Sequence, residues 1–299
     1  MKKIKYILLT IVLIIFIINI NIVISSTKDA LILFINKIFI SIFPFIILSD
    51  ILLYYDYHLF INKLFGNIIS KLFNIDKNST IIFILSILTS HPANAIYIKN
   101  MLDKNEIDIK SANKLLCFTY FPSISFVFGL IGITYYKSLK TGLILWLFIL
   151  INNILIGLYL RKEKTISNIK IQIKKEDFIT TIKSSIQKGI NTSIIILGNL
   201  IIFTIITNIL KYYLNNYTIL NIIISNILEM SNGINQTFNS NLNINIKLTL
   251  TLFSLLFSGL SIIFQSISIL NDYKINIKRI LIIKLVFSII TSFVFYLLI

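Results

Sequence analysis

The sequence is poor in the residues that form disulfides, bind metals or carry out acid–base catalysis. Its 299 residues include one cysteine, two histidines and 12 acidic residues. Because Cys117 is the only cysteine, the chain cannot form an internal disulfide or a metal site built from several cysteines. The motifs HExxH, GxSxG and GxxxxGK(S/T) are also absent, so no zinc hydrolase, serine hydrolase or ATP-driven activity is indicated. We therefore expect a protein that is not an enzyme and that holds no metal or cofactor.

Apolar residues dominate instead. Hydrophobic residues make up 56% of the chain and charged residues 13%, and the mean hydropathy is +0.88. The apolar runs are continuous, whereas a membrane β-barrel would alternate apolar and polar residues. Several runs approach the length of a bilayer-spanning helix, so we expect an all-α polytopic protein with roughly seven to nine membrane segments. The expected location is a bacterial membrane, crossed several times.

The net charge of +16 has a topological explanation. The basic residues lie between the apolar runs, as in cytoplasmic loops under the positive-inside rule. We therefore expect the lipid bilayer, and no nucleic acid, as the partner of these charges. The sequence leaves open whether several copies of the chain assemble.

Basic segments divide the chain into four expected parts. Residues 1–28 form an N-terminal transmembrane helix, because the apolar run after Lys5 exceeds the core of a secretory signal. Residues 29–160 form a first membrane half, and residues 189–299 form a second. Between them, residues 161–188 are polar and strongly basic, which indicates a cytoplasmic linker.

The most informative stretch covers residues 80–101, where an apolar run is interrupted near its middle. Pro92 lacks an N–H and disfavours helix at the preceding residue, so the helix should break near His91. A break at membrane depth persists only where it is buried in protein or lines a watery cavity. We interpret residues 90–94 as a broken helix or re-entrant hairpin that faces a substrate.

Similar interruptions occur elsewhere. Pro44 and Pro122 lie within apolar runs, where they should kink or break the helix. In the second half, the apolar run of residues 248–270 becomes polar near 258–261. Interrupted segments in two halves point to the binding site of a secondary transporter, and helix N-termini at such breaks favour an anion. The two halves should therefore be related, each with a broken or re-entrant helix.

At these residues the chain resembles a known family. The stretches that carry the resemblance are FPFIILSDIL (43–52), SHPANAIYIKNML (90–102), LLCFTYFPSISFVFG (115–129), LGNLIIF (197–203), ILEMSNGI (227–234) and SGLSIIFQSISIL (258–270). They are similar to the YlbJ family of sporulation integral membrane proteins, which includes stage V sporulation protein V and carries a nucleoside recognition (gate) domain. The order of the motifs extends this resemblance over nearly the whole chain.

The resemblance implies that a small aromatic dicarboxylate, dipicolinate, is exported into the forespore during sporulation. The expected substrate-binding residues are Ser90, His91, Asn94, Ser258, Gly259, Ser261 and Gln265. Glu229 is the expected gating or proton-coupling residue, and Pro44, Pro92 and Pro122 are the expected helix breakers. The expected partner is thus a small anionic solute. His91 as a buried structural residue, and Glu229 as a plain helix-end residue, remain alternatives.

Two other functions stay open. The chain could transport a nucleoside or another polar solute, which uptake assays with both solutes would distinguish. It could also be a membrane scaffold for spore maturation that transports nothing. A scaffold predicts no solute flux from purified protein in liposomes.

Overall fold

The computed structural model describes residues 2–55, 57, 60, 62–163, 177–214 and 217–299. It is 84% helical, and the described residues contain no strand. The α-helices are α1 (Lys2–Ile18), α2 (Ile20–Leu33), α3 (Ile40–Tyr54), α4 (Asn67–Phe73), α5 (Thr80–Thr89), α6 (Ala93–Asp103), α7 (Ile109–Phe118), α8 (Leu139–Tyr159), α9 (Phe178–Tyr213), α10 (Thr218–Leu228), α11 (Met230–Phe238), α12 (Ile244–Phe257), α13 (Gly259–Ile269) and α14 (Ile277–Leu298). Three π-helical segments occur at Phe34–Phe39, Asn62–Gly66 and Ser125–Tyr135, and a 3₁₀ turn at Leu160–Lys162. The expected all-α membrane fold is confirmed.

Fewer helices than expected are long enough to cross a bilayer. Among the described residues, four helical stretches qualify by length and hydropathy: Leu139–Lys162, Phe178–Tyr213, Ile244–Ile269 and Ile277–Leu298. A bent pair near the N-terminus raises this number to five, below the seven to nine segments expected. The difference arises because several apolar runs form short helices, such as Thr80–Thr89 and Thr218–Leu228. Each of these reaches only part of the way across a bilayer.

The N-terminal segment is not the single helix expected over residues 1–28. The helical stretches Leu9–Ile18 and Ile20–Asn36 meet at an angle of 87°. The bend lies at Asn19, whose side-chain amide donates to the carbonyl of Ile15 at 2.9 Å. An Asn side chain that bonds a nearby carbonyl offers the backbone an alternative to the regular helix. The expected boundary at residue 28 consequently falls inside α2.

Pro44 does not break its helix, contrary to expectation. It lies inside α3, which continues to Tyr54. A π-helical segment, Phe34–Phe39, joins α2 directly to α3. Membrane helices tolerate proline where local π adjustments and neighbouring helices compensate for the lost hydrogen bond. Pro44 is thus an internal helix residue.

Only part of the expected linker, residues 161–188, can be compared with the structure, since residues 164–176 lie outside the described residues. Asp177 caps α9 by accepting a hydrogen bond from the Phe178 amide at 2.8 Å. From there α9 runs for 36 residues without interruption. The second half therefore begins helically inside the expected linker.

The two ends of α14 define the two ends of the helix bundle. At its N-terminal end, Arg279 pairs with Glu163 at 2.5 Å, and Lys99 pairs with Asp272 at 2.6 Å. At its C-terminal end, the Asn245 amide donates to the carbonyl of Ile299 at 3.2 Å. These contacts assign the ends of the other helices to one side or the other.

Each half contributes a helical hairpin, and the two hairpins enter from opposite ends. Lys114 donates to the carbonyl of Phe73, just before α5, and to the carbonyl of Glu163. Because Glu163 pairs with Arg279, the start of α5 lies at the α14 N-terminal end. Helix α6 returns there, since Asp103 accepts a hydrogen bond from Tyr273. Hairpin α5–α6 is therefore re-entrant.

The second hairpin, α10–α11, has the opposite orientation. Its helices run antiparallel, with Ser225 bonded to Gln236 and Asn226 to Thr237. Helix α11 ends at Phe238, whose carbonyl accepts from Lys247 near the start of α12. This hairpin therefore enters from the α14 C-terminal end, opposite to α5–α6.

The order of parts after each hairpin is also the same. The first half continues with α7, the non-helical residues 119–123, a π-helix and the straight helix α8. The second half continues with α12, a break at Ser258, α13 and the straight helix α14. The 258–261 break therefore corresponds to residues 119–123, whereas the counterpart of the 90–94 break lies at Glu229. The sequence had paired 90–94 with 258–261.

A cluster of aromatic rings fixes the breaks of the first half. Phe73 packs at 5.0 Å from Phe83 and 4.9 Å from Phe118, and Phe83 lies 5.6 Å from Phe121. Gly157 on α8 makes this packing possible, since a Cβ there would lie 2.5 Å from the Phe73 ring. Hairpin α5–α6, α7 and α8 are held together at this point.

Candidate functional site

A cavity of about 70 Å³ lies where the four helix interruptions meet. The two hairpin tips and Ser123 contribute to its wall, together with Ile262 and Gln265 of α13, π-helical Ile38 and residues of α9. The lining residues are Ile38, Ser90, His91, Pro92, Ser123, Phe126, Ile196, Leu200, Glu229, Met230, Ser231, Ile262 and Gln265. The tips of both hairpins thus border one cavity, whose largely apolar wall carries a few polar groups.

The tip of the first hairpin is tied to the broken segment that follows α7. Helix α5 ends at Thr89, and Ser90 adopts a left-handed conformation with φ of 69°. The His91 amide donates to the carbonyl of Phe121 at 2.7 Å. Helix α6 then begins at Ala93 without a side-chain cap. The amides of Ala93 and Ala95 donate to the carbonyls of Ser90 and Pro92, and the helix N-terminus carries a partial positive charge.

His91 carries a buried polar atom without a partner. Its side chain lines the cavity, and its Nε2 atom makes no hydrogen bond. Unpartnered buried polar atoms are rare and point to a missing water, ion or ligand. The Nε2 atom of His91 therefore offers a donor or acceptor to whatever fills the cavity.

Asn94 lies behind the cavity wall rather than in it. Its side-chain amide donates to the Thr119 hydroxyl at 3.2 Å, and its Oδ1 atom has no partner. The bond links the first turn of α6 to the non-helical residues after α7. Asn94 is therefore placed to hold the two interruptions together.

Pro92 and Pro122 both lie at interruptions. Pro92 immediately precedes α6, after a cis peptide bond from His91. Pro122 lies in the non-helical stretch of residues 119–123, where the carbonyl of Tyr120 accepts from Asn153 at 2.9 Å. Loss of the proline N–H removes a helix hydrogen bond at each site. Ser123, just beyond Pro122, reaches the cavity.

The tip of the second hairpin is Glu229. This residue is extended, with φ of −142° and ψ of 119°, and it separates α10 from α11. Its carboxylate accepts a hydrogen bond from the Asn232 amide at 2.6 Å, which caps α11. Only 2% of Glu229 is exposed, and the residue lines the cavity. A buried carboxylate therefore faces the same space as His91.

The break at Ser258 packs against that second tip. Ser258 and Gly259 both have φ of 70°. A Cβ on Gly259 would lie 2.9 Å from the Met230 amide nitrogen, too close for any other residue without movement. The structure thus brings the backbone of α13 directly onto the start of α11. This close approach explains a glycine at position 259.

Gln265 is a polar cavity residue of α13, one turn beyond Ser261. Its side-chain amide donates to the Ser261 hydroxyl at 3.3 Å, which orients it. Ser258, Gly259 and Ser261 are buried but do not line the cavity. Of the expected substrate-binding residues, Ser90, His91 and Gln265 reach the cavity, and the other four support its wall.

Sequence reading assigns no site role to Lys284, which lies within the last apolar run. In the structure Lys284 is 2% exposed on α14. Its ammonium group donates to the Leu256 carbonyl at 3.1 Å and to the Ser258 hydroxyl at 3.3 Å. A lysine seven residues inside an apolar helix is a signal that sequence reading could have used.

Metal ligands do not cluster in the described part of the chain. No three His, Cys, Asp or Glu side chains there lie close enough together to hold a metal ion. The cavity wall instead offers hydroxyl, amide, imidazole and carboxyl groups. Such groups suit a polar organic solute.

The apolar helices and the buried break residues define an all-α integral membrane protein. Among known proteins, the chain is similar to the sporulation integral membrane protein YlbJ of Bacillus subtilis strain 168. The two are 23% identical over 153 residues, which cover 48% of this chain and 38% of YlbJ. The similarity is therefore shorter than the near-complete resemblance expected from the motifs. No family model matches the chain, and no solved structure does.

Proposed function

We infer that this protein transports a small anionic solute across the membrane through the cavity between the hairpin tips. The observation that carries this inference is that both hairpin tips, and the segments that follow α7 and α12, contribute polar side chains to one cavity. Interrupted helices from inverted halves, with a site between them, are typical of secondary transporters. Alternating access follows from such a design, because either hairpin can move away from a shared site.

The polar groups of the cavity favour an anion. The N-terminus of α6 has no side-chain cap, and helix N-termini attract negative charge. The Gln265 amide supplies a neutral hydrogen-bond donor, and the Ser90 hydroxyl, which donates to the His91 carbonyl at 3.3 Å, can supply another by rotating toward the solute. His91 adds a further donor when Nε2 carries a proton. Carboxylate oxygens are the natural complement of these groups.

Dipicolinate is the proposed solute. The motifs resemble those of a family whose members export it, and the distant relative YlbJ is named a sporulation integral membrane protein. We therefore place the chain in sporulation, with export into the forespore as its role.

The proposed transport should require a proton on Glu229. An ionised carboxylate in the cavity would repel an anionic solute, and the repulsion is strong where water is scarce. The solute and a proton on Glu229 would therefore occupy the cavity together. Glu and Asp residues inside membrane proteins serve such proton relays in many transporters. Replacing Glu229 by Gln should abolish the acceleration of uptake by a proton gradient.

The direct test is flux into liposomes that contain the purified protein and trapped terbium ions, whose luminescence reports dipicolinate entry. Wild-type protein should give saturable entry, and Ser90→Ala and Gln265→Ala should lower the rate about tenfold each. Ser268→Ala is the matched control, because its hydroxyl is bonded to the Phe264 carbonyl on the same helix, outside the cavity lining. The control should retain wild-type flux.

Other outcomes of the same assay separate the alternative functions. Entry of a nucleoside in place of dipicolinate would identify a transporter of neutral polar solutes. Absence of flux for every solute, with folded protein in the liposomes, would favour a scaffold and contradict transport. Equal flux in wild type, Ser90→Ala and Gln265→Ala would remove the cavity from the pathway.

A further inference from the structure

Lys284 is a buried cation without a carboxylate partner in the described part of the chain. Its ammonium group contacts the Leu256 carbonyl, the Ser258 hydroxyl and the face of the Tyr120 ring, whose centroid is 4.0 Å away. Lys99 and Arg279, in contrast, pair with Asp272 and Glu163. Two neutral oxygens and a ring therefore contact the ammonium group, and no described carboxylate neutralises it.

An uncompensated charge in the middle of a membrane helix is costly. Such residues usually face the bundle interior and mark the pathway of an ion or substrate. Lys284 follows this rule, since it points from α14 to the break between α12 and α13. Its contacts satisfy the ammonium protons in part and leave its charge available to a nearby anion.

Two short routes connect Lys284 to the cavity. The Tyr120 ring contacts the ammonium group on one side and lies 6.2 Å from the His91 ring on the other. By the second route, Lys284 binds Ser258, and the adjacent Gly259 packs against Met230, which lines the cavity. Lys284 thus lies one side chain behind the cavity wall.

We propose that Lys284 supplies the counter-charge that selects the charge of the solute in this cavity. The inference rests on the proposed transport of an anion and adds the group that distinguishes a dianion from a monoanion or a neutral solute. At a separation of about 10 Å and an effective dielectric constant of about 20, each negative charge gains roughly tenfold in affinity. The cavity should therefore prefer a dicarboxylate.

Three solutes of nearly equal shape test this role. They are dipicolinate (pyridine-2,6-dicarboxylate), which is a dianion, its monoamide, which is a monoanion, and its neutral diamide. Binding to the purified, detergent-solubilised protein can be followed through Trp146, the single tryptophan. Trp146 lies 6.1 Å from Phe121, whose carbonyl holds the His91 amide. Wild type should bind the dianion about tenfold more tightly than the monoanion, and the monoanion more tightly than the diamide.

Variants assign the preference to Lys284. Lys284→Met and Lys284→Gln should weaken binding of the dianion at least tenfold and leave binding of the diamide unchanged. Lys284→Arg keeps the charge and should keep the order of preference. Lys278→Met is the control, because Lys278 is exposed near the start of the same helix, and it should behave as wild type.

The outcomes distinguish two failures. If wild type binds the diamide as tightly as the dianion, the proposed role of Lys284 is wrong, and no variant is needed to show it. The same follows if Lys284→Met weakens all three solutes equally, since that result indicates a structural role only. If wild type binds none of the three solutes, the proposed anion transport fails, and the role of Lys284 fails with it.

Discussion

Two buried lysines show how differently the same side chain is used in two regions of this protein. Lys114 donates to the main-chain carbonyls of Phe73, Asn74 and Glu163, so its three ammonium protons each have a backbone acceptor. Lys284 has two oxygen acceptors, at 3.1 and 3.3 Å, and a ring face. The first lysine joins the chain before α5 to the end of α8. The second retains unneutralised charge beside a cavity.

The comparison indicates that burial alone does not identify a functional lysine. What distinguishes the two is the set of acceptors, because a carbonyl at each proton leaves no demand for a further partner. Variants of the two lysines should therefore separate stability from solute preference.

The largest expected effect on stability is that of Lys114→Met. The substitution leaves three carbonyls without their donor, and unsatisfied buried carbonyls should lower the free energy of unfolding by about 3 kcal/mol. Thermal unfolding of the purified protein measures this loss. Lys284→Met should cost less stability, so an equal loss for both variants would contradict the comparison.

Gly259→Ala should have the next largest effect, because it acts on the backbone contact beside Lys284. Its new Cβ would press on the Met230 amide and would strain a residue with φ of 70°. We expect a loss of about 2 kcal/mol in unfolding free energy. Gly198→Ala is the control, since a Cβ added at Gly198 would have no atom within 4 Å. This substitution should leave the unfolding free energy unchanged or raise it.

Ser258→Ala sharpens the comparison by removing one of the two oxygens that Lys284 binds. The charge remains, but one hydrogen bond of 3.3 Å is lost. Stability should fall by about 1 kcal/mol, and the preference for a dianion should persist. Loss of that preference in Ser258→Ala would mean that the hydroxyl, rather than the lysine charge, selects the solute.

The smallest effect is expected at an exposed lysine. Lys99 pairs with Asp272 at 2.6 Å on the surface, where side-chain exposure is 29% and 63%. Surface ion pairs contribute about 0–1 kcal/mol, so Asp272→Asn should change the unfolding free energy by about 0.5 kcal/mol or less. A loss as large as that of Lys114→Met would show that this pair fastens the bundle end.

Some interruptions could be predicted from the sequence because proline produces them. The break before α6 follows directly from Pro92, and the non-helical residues 119–123 surround Pro122. Pro44 shows the limit of this rule, since α3 continues through it. Whether a membrane helix tolerates a proline depends on neighbouring helices, which no local pattern reveals.

The other interruptions depend on tertiary contacts. Glu229 ends α10 where its carboxylate caps the next helix, and Ser258 takes a left-handed conformation where Gly259 meets Met230. Neither feature has a proline as a local signal. The pairing of the hairpins is also a three-dimensional property, because it depends on which end of the bundle each hairpin enters.

The most direct test of the shared cavity is protection of introduced cysteines by the solute. In a Cys117→Ala background, Ser90→Cys and Gln265→Cys would be labelled in liposomes with a small thiol reagent, with and without dipicolinate. Asn241→Cys, in an exposed turn, is the control. We predict that dipicolinate slows labelling at positions 90 and 265 to the same extent and leaves position 241 unaffected. Protection at only one of the two cavity positions, or at neither, would contradict a single anion site between the hairpin tips.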